Sequence, residues 1–150
     1  MENIIIRWVK VLDMEQLLSL CQEHAEYEKA KFDPKNKLDL LSAHLFQSQN
    51  SIKCLVVEVD KEVVGYATFM KQFSTWDAGF YIYLDCLFLK EKRRGRGIGR
   101  KIMDQIRDYA QLEKCNTIQW QTPDFNTKAI EFYKRIGATS KAKERFFWTL

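Results

Sequence analysis

The sequence predicts a mixed α/β fold in a single domain over residues 1–150, with the element order β-α-α-β-β-β-α-β-α-β. Short β-branched and aromatic runs alternate with longer stretches whose apolar residues recur at helical spacing. Two apolar runs flank a polar pair at residues 60–61, which is typical of an antiparallel hairpin. A glycine-rich segment separates the run 80–89 from an amphipathic stretch, which predicts a strand-to-helix crossover. With 46% hydrophobic residues, the chain can bury one core.

The first elements are a strand and two helices. Residues 4–9 are rich in β-branched side chains and predict the strand. Asp13 is placed to cap the next helix, with Gln16 at the capping-box position, and this helix should reach about Lys29. A second helix, ending near Gln49, is predicted from the helical spacing of Leu38, Leu41, Leu45 and Phe46.

The middle of the chain predicts consecutive strands and then a crossover. Residues 54–59 and 63–70 form the two arms of the hairpin, and the long strand 80–89 follows a polar loop. After the glycine-rich segment, an apolar stripe predicts a helix from Ile98 to about Glu113. The next strand is predicted at residues 117–121.

The C-terminal part predicts one more helix and one more strand. Asn126 is expected to cap a helix that continues through Arg135, and Gly137 is expected to end it. Residues 145–150 are apolar and aromatic, and they predict the last strand. A strand at this position would leave an edge that a second copy could cover, so a homodimer is possible.

Three of the six glycines lie within five residues, at Gly95, Gly97 and Gly99. Glycine allows positive φ and a close ligand approach, so successive amides can converge on a phosphate at the start of the following helix. Residues 90–101 also carry seven basic side chains against Glu91 alone. A flexible turn or a nucleic-acid patch remains an alternative, although the loop lacks the interleaved aromatic residues of a single-strand binder. The spacing fits neither the P-loop nor the dinucleotide-binding pattern.

Two motifs carry a family resemblance. The first is Arg94-x-x-Gly97-x-Gly99, and the second, in residues 126–138, reads N-x-x-A-x-x-F-Y-x-x-x-G-A. In this order they resemble the two signatures of the GNAT superfamily of N-acetyltransferases. The resemblance implies a mostly antiparallel twisted sheet flanked by helices, with two strands splayed at the cofactor site. It also implies acetyl-coenzyme A (acetyl-CoA) as the cosubstrate and no metal.

The resemblance further implies which residues bind the cosubstrate. The main chain near the end of the strand 80–89 would pair with the pantetheine arm, and one amide there would polarise the thioester carbonyl. The family commonly has a β-bulge at this point. The complete set of cofactor residues is then Leu87, Phe88, Leu89, Arg94, Gly95, Arg96, Gly97, Ile98, Gly99, Arg100, Asn126, Ala129 and Tyr133.

Two residues are candidates for proton transfer. Tyr133 is the expected acid, because a phenol can protonate the departing thiolate and the matching tyrosine does so in many relatives. Asp85 is the expected base, because burial in an apolar strand would raise its pKa, with water as the intermediary. The segments around these residues also resemble the diamine (spermidine/spermine) acetyltransferase branch, although Cys86 stands where that branch more often has a carboxylate. A structural role for Asp85 remains an alternative.

The sequence favours a small cationic amine as the acceptor. Glu23, Glu26 and Tyr27 on the first helix, together with Asp85, could form an acidic pocket, although such charges can equally be a solvated helix face. His24 and His44 receive no role, and no metal motif occurs. A protein N-terminal or lysine acetyltransferase and a noncatalytic nucleic-acid or CoA-binding module are the alternatives. Four scattered cysteines and no long apolar run indicate a cytoplasmic protein without a membrane segment. No nucleic-acid partner is expected, because the basic loop lacks interleaved aromatic residues.

Overall fold

Five strands form one open sheet in chain order in the computed structural model, which describes residues 2–47, 49 and 52–150. Strands β1 to β4 are antiparallel, and β5 joins β4 in parallel through a helical crossover. The fold is therefore mixed α/β with a mostly antiparallel sheet, as predicted. The strands are β1 Ile4–Trp8, β2 Ile52–Val59, β3 Glu62–Ser74, β4 Gly79–Leu89 and β5 Ile118–Trp120, and the helices are α1 Met14–Tyr27, α2 Lys37–Phe46, α3 Ile98–Leu112 and α4 Thr127–Arg135.

The sheet separates two hydrophobic clusters. Helix α3 covers one face, where Ile98, Ile102 and Ile106 pack on side chains such as Phe69 from β3. Helices α1 and α2 cover the opposite face. These helices bury one apolar stripe each, as the helical spacing of their residues predicted. No helix among the described residues is long and apolar enough to cross a membrane.

The hairpin between β2 and β3 follows the prediction closely. Asp60 and Lys61 both have positive φ, at 50° and 72°, which is the geometry of a two-residue type I′ turn. Further along β3, a Cβ atom on Gly65 would lie 2.5 Å from the Leu89 side chain and 2.8 Å from the Phe88 carbonyl oxygen. Glycine at this position therefore lets β3 and the end of β4 approach each other.

A β-bulge interrupts β4. Thr68 of β3 faces Cys86, but the next residue, Phe69, faces Leu84, so Asp85 is an extra residue without a partner. Before the bulge, Leu84 points to the cluster beneath α3, whereas after it the odd-numbered residues Leu87 and Leu89 do so. The bulge therefore reverses the alternation of the strand. This confirms the irregularity that the family resemblance implied for this strand.

Two predictions about individual elements, one strand and one helix end, are wrong. Residues 145–150 form no strand, and Phe146 and Trp148 are 91% and 92% exposed. β-propensity does not create a strand where no neighbouring strand offers hydrogen bonds. Helix α2 ends at Phe46, three residues before the predicted end, because Gln47 adopts an extended conformation with ψ 150°.

The predicted capping box at the start of α1 is also wrong. The Asp13 carboxylate accepts hydrogen bonds from both Arg7 terminal nitrogens, at 2.7 and 2.9 Å, and from the amide of Lys10. Gln16 instead accepts a hydrogen bond from the amide of Val63 at 3.0 Å. Arg7 also contacts Glu58 at 2.6 Å, so one guanidinium joins β1, β2 and the start of α1. Arg7 holds the pKa of Asp13 below its usual range, against the effect of burial.

We predict that Asp13→Asn lowers the free energy of unfolding by about 1–3 kcal/mol at neutral pH, because Arg7 loses its best-buried ionised partner. An aspartate with a lowered folded-state pKa stabilises the protein above its unfolded-state pKa, and this contribution is lost as the pH falls through the folded-state value. Urea unfolding near pH 7 and near pH 3 should show the difference shrinking in acid. Glu62→Gln, which removes an exposed ion pair with Lys90, is the matched control and should change stability by less than about 1 kcal/mol. An equal Asp13→Asn effect at both pH values would contradict the assignment.

Candidate active site

A cleft of about 650 Å³ opens where β4 and β5 diverge. The two strands pair only from Ile82 to Leu84, opposite Ile118 to Trp120, whereas β4 continues to Leu89. Helices α1 and α4 form the remaining walls. Most of the residues predicted to bind cofactor or substrate lie on this cleft, namely Tyr27, Asp85, Leu87, Phe88, Leu89, Arg94, Gly95, Gly97, Gly99, Arg100, Asn126, Ala129 and Tyr133.

The bulge decides which main-chain groups of β4 face the cleft. The amide of Lys90 donates to the Val64 carbonyl at 2.9 Å, so Lys90 and, by alternation, Phe88 direct their peptide groups at β3. The peptide groups of Leu87 and Leu89 then point away from β3, toward the gap between β4 and β5. The site thus offers an unpaired strand edge, as the family resemblance implied.

The glycine loop leads into the N-terminus of α3 at one end of this edge. Gly95 and Gly97 have φ of 74° and 76°, and no atom lies within 4 Å of the position that a Cβ would take at either residue. Among the described residues, the amides of 95–100 donate to no carbonyl or side chain. Their free N–H groups and the positive end of the helix dipole favour an anion.

Gly99 brings α4 against α3. A Cβ atom on Gly99 would lie 3.0 Å from the Phe132 ring, so only glycine allows this approach without displacing the ring. Phe132 packs beside the α3 cluster and lines the cleft, and the next residue is Tyr133. Gly99 therefore also positions the predicted acid.

Arg94 connects the glycine loop to the opposite wall. Its Nε donates to the Leu89 carbonyl at 2.8 Å. Its guanidinium lies over the Tyr27 ring, 4.4 Å from the centroid, and near Phe88 at 5.4 Å. Such cation–π contacts hold a side chain over an aromatic surface without using up its N–H donors.

Tyr133 lies on the cleft wall, edge-on to Trp120 with ring centroids 5.0 Å apart. Burial raises the pKa of Tyr133 to about 12, and the charge of Glu28 acts in the same direction. The phenol therefore carries its proton at neutral pH, which is the form that a proton donor requires.

Asp85 lies on the cleft but differs from the expectation in one respect. The sequence argument placed its carboxylate in a buried strand, whereas the bulge turns it outward and leaves it exposed. Its one side-chain hydrogen bond among the described residues is from the Cys86 thiol, at 3.7 Å. The burial that was expected to activate Asp85 is absent.

Asn126 occupies the residue before α4, but its side chain does not cap the helix. Its Oδ1 accepts a hydrogen bond from the Tyr27 hydroxyl at 2.8 Å, and its Nδ2 donates to Thr122 at 3.4 Å. The prediction of a side-chain cap is therefore wrong. Asn126 instead joins α4 to the end of α1 at the edge of the cleft.

Four predicted site residues lie off the cleft. Glu23 and Glu26 are exposed on α1 and do not line the cleft, although Glu23 lies one helical turn before Tyr27. Arg96 pairs with Glu2 at 2.9 Å, and the Ile98 side chain is buried beneath α3. Ile98 can therefore contribute to the predicted cofactor site through its main-chain amide, not through its side chain.

The sequence analysis missed two cleft residues on α1, His24 and Glu28. They share one helix face with Tyr27, at spacings i, i+3 and i+4, and this pattern was the available signal. Imidazole Nδ1 lies 2.8 Å from the Tyr66 hydroxyl, and Nε2 lies 3.6 Å from Glu28. Among the residues that the structure describes, no group of three His, Cys, Asp or Glu side chains could hold a metal ion.

Comparison with known proteins gives one family and one fold. Residues 12–138 match the model of the Acetyltransferase (GNAT) family. The chain is 34% identical over 146 residues to thialysine N-epsilon-acetyltransferase of Bos taurus and 33% identical to that of Sus scrofa. Each alignment covers 92% of this chain and 85% of the relative.

The fold is shared with solved acetyltransferase structures. An aminoglycoside N-acetyltransferase in complex with CoA superposes with a TM-score of 0.83, covering 99% of this chain and 96% of that one. The two sequences are 14% identical, so this likeness concerns the fold.

We predict that Gly97→Ala destabilises the protein by about 1–2 kcal/mol, because its φ of 76° is strained for a residue with a Cβ even in open space. Gly79→Ala is the matched control, since Gly79 lacks positive φ and its nearest neighbour would lie at 3.5 Å. Denaturant unfolding of both variants measures the difference. Equal stability of the two variants would contradict the strained geometry.

Proposed function

The chain belongs to the GNAT family of N-acetyltransferases, and from this premise we propose that it transfers the acetyl group of acetyl-CoA to a small cationic primary amine. The amine attacks the thioester directly while both substrates are bound. The observation that carries the proposal is the cleft, which is lined both by a loop with free amides and by acidic side chains. The curated relatives named above act, by their names, on thialysine, an amino acid with a side-chain amine.

The loop residues fit the phosphates of CoA. The free amides at 95–100 lie at the start of α3, and the side chains of Arg94 and Arg100 line the same cleft. A pyrophosphate would accept hydrogen bonds from these amides and ion pairs from these side chains. The thioester supplies an activated acetyl group. Leu87 and Leu89 would orient it through their main-chain groups, and an amide of this edge would polarise its carbonyl.

Tyr133 and Asp85 would move protons on opposite sides of the reacting carbon. Tyr133 is protonated at neutral pH and lies on the cleft wall, so it would protonate the departing sulfur. Asp85 is solvated, and its carboxylate would take a proton from the amine nitrogen through a water molecule.

The carboxylates of the cleft favour a cationic acceptor. Glu28, Asp85 and Glu131 are among its lining residues, and the Tyr27 ring adds an aromatic surface. Carboxylates attract an alkylammonium, and the apolar ring can contact its methylene groups. This surrounding suits a lysine-like or polyamine-like acceptor.

A thiol-release assay tests the proposal. The protein is incubated with acetyl-CoA and a panel containing thialysine, lysine, polyamines, aminoglycosides, amino acids and peptides. Acceptor-dependent release of free thiol with a small cationic amine is expected. Release only with peptides would move the assignment to a protein acetyltransferase. No release with any amine, from folded protein that binds CoA, would overturn it.

We predict that Tyr133→Phe lowers kcat about 10²- to 10⁴-fold, because the departing sulfur loses its proton donor. CoA affinity, measured by isothermal titration calorimetry at moderate salt, should change by less than about threefold, since one phenol contributes little to binding of the nucleotide. Tyr83→Phe on β4, which does not line the cleft, is the matched control. An unchanged kcat in Tyr133→Phe would remove the proposed acid.

The protein is proposed to act in the cytoplasm as a homodimer. The side chains of Phe146, Trp148 and Leu150 are 91%, 92% and 112% exposed, and together they form an apolar segment that a second copy could cover. Double substitution to Glu at Phe146 and Trp148 should convert a dimer into a monomer, because charges at these positions would be costly to bury. Light scattering after size exclusion measures the mass. A monomeric parent chain, or a dimer that survives both substitutions, would contradict this arrangement.

A further inference from the structure

A polar group is buried at the inner wall of the cleft, beneath the Phe88 ring. His24 on α1 stacks on Phe88 with ring centroids 5.1 Å apart, and its side chain is 12% exposed. Both of its ring nitrogens have a polar neighbour. Nδ1 lies 2.8 Å from the Tyr66 hydroxyl, and Nε2 lies 3.6 Å from a Glu28 oxygen. His24 and Glu28 both line the cleft.

Tyr66 can serve either tautomer of His24. The Tyr66 side chain is fully buried on β3, and burial raises its pKa, so the hydroxyl keeps its proton. A hydroxyl both donates and accepts, so it can donate to a bare Nδ1 or accept from Nδ1–H. When the hydroxyl accepts from Nδ1–H, Nε2 carries no proton. Its lone pair, on the Glu28 side of the ring, can then take one.

The charges around His24 suit a group that alternates between two protonation states. Burial lowers the pKa of His24, while Glu28 on the same helix opposes this. Arg94 from the loop lowers that pKa further, and Asp85 on β4 raises it. Tyr66 on β3 and the Cys86 thiol on β4 face this site without adding charge, since burial raises the pKa of both. His24 is therefore neutral at physiological pH, and its charged form is stabilised by carboxylates on the cleft side.

The chemistry of the proposed function needs a second proton acceptor. An alkylammonium loses two protons from nitrogen on its way to an amide, and an alkyl amine with a pKa of about 10.4 is mostly protonated near neutral pH. Asp85 through water accounts for one proton. A second group is needed for the other proton, and a neutral imidazole can take one near the operating pH.

We propose that Nε2 of His24 takes the first proton from the acceptor ammonium, with Tyr66 fixing the tautomer and Glu28 stabilising the imidazolium. This inference rests on the proposed function. The neutral nitrogen then forms the C–N bond and loses its second proton to Asp85 through water. The C–S bond breaks, and the sulfur takes a proton from Tyr133. Asp85 returns one proton to Tyr133 through water, and His24 releases the other to solvent, so one proton leaves per turnover.

Kinetics against pH tests the role of His24. In the parent enzyme, kcat/KM should fall on the acidic side as His24 becomes protonated. His24→Gln should lower kcat/KM about 10- to 100-fold near pH 7, and its rate should keep rising toward the pKa of the free amine. His44→Gln, at the exposed second histidine, is the matched control and should keep the parent profile. Asp85→Asn should lower the rate but keep the acidic limb that belongs to His24.

Imidazole NMR gives a readout that does not depend on turnover. The chain has two histidines, so His24→Gln assigns both signals. The His24 signal should titrate below the ordinary value of 6.5, and Glu28→Gln should move its midpoint lower still, because a stabilising carboxylate is lost. Tyr66→Phe keeps the packing and should alter the tautomer-sensitive ¹⁵N shifts.

The outcomes separate this inference from the proposed function. A parent enzyme that acetylates no amine overturns the proposed function and this inference with it. Turnover by the parent enzyme, combined with a His24→Gln profile that keeps the parent acidic limb, overturns the role of His24 alone. A uniform loss of rate at every pH is the result expected of a purely structural histidine, and it also overturns this role. A His24 midpoint that Glu28→Gln leaves unmoved removes the part assigned to Glu28.

Discussion

The extra residue in β4 is the constraint on which the cleft depends. Asp85 has no partner on β3, so the strand reverses its alternation between Leu84 and Leu87. The same reversal keeps leucines packed beneath α3 while turning their peptide groups toward the gap. In an uninterrupted strand the even-numbered Cys86 and Phe88 would take both the side-chain positions beneath α3 and the peptide groups that face the gap. The bulge also turns the Asp85 side chain outward, where it can meet solvent and an acceptor.

Groups of both charges line the cleft. The free amides at the start of α3 and the side chains of Arg94 and Arg100 share it with the carboxylates of Glu28, Asp85 and Glu131. Arg94 is bonded to the Leu89 carbonyl and stacked on Tyr27, so its guanidinium is held in place on the cleft wall.

Local patterns predicted much of this architecture. The turn at Asp60-Lys61, the stripe of α3 and the glycine loop each depend on a few neighbouring residues, and the structure confirms them. The failures involve partners distant in sequence. Asp13 is placed as a helix cap, but Arg7 from β1 binds it, and residues 145–150 have the composition of a strand but no strand beside them. The apolar run around Asp85 could not predict that its side chain is exposed, because the bulge depends on pairing with β3. The partner of His24, Tyr66, is 42 residues away in the sequence, so the helical spacing that His24 shares with Tyr27 and Glu28 was the available local signal.

Gly65 does not line the cleft, but a substitution there would disturb it, because β3 and β4 approach each other closely at this residue. This residue lies on the far side of β4, opposite Leu89. A single methyl group there would overlap both the Leu89 side chain and the Phe88 carbonyl, and β4 would have to shift away from β3. The displaced peptide groups are those that border the gap. Damage to this enzyme can therefore begin at a backbone contact behind the sheet, while the reacting side chains themselves are all intact.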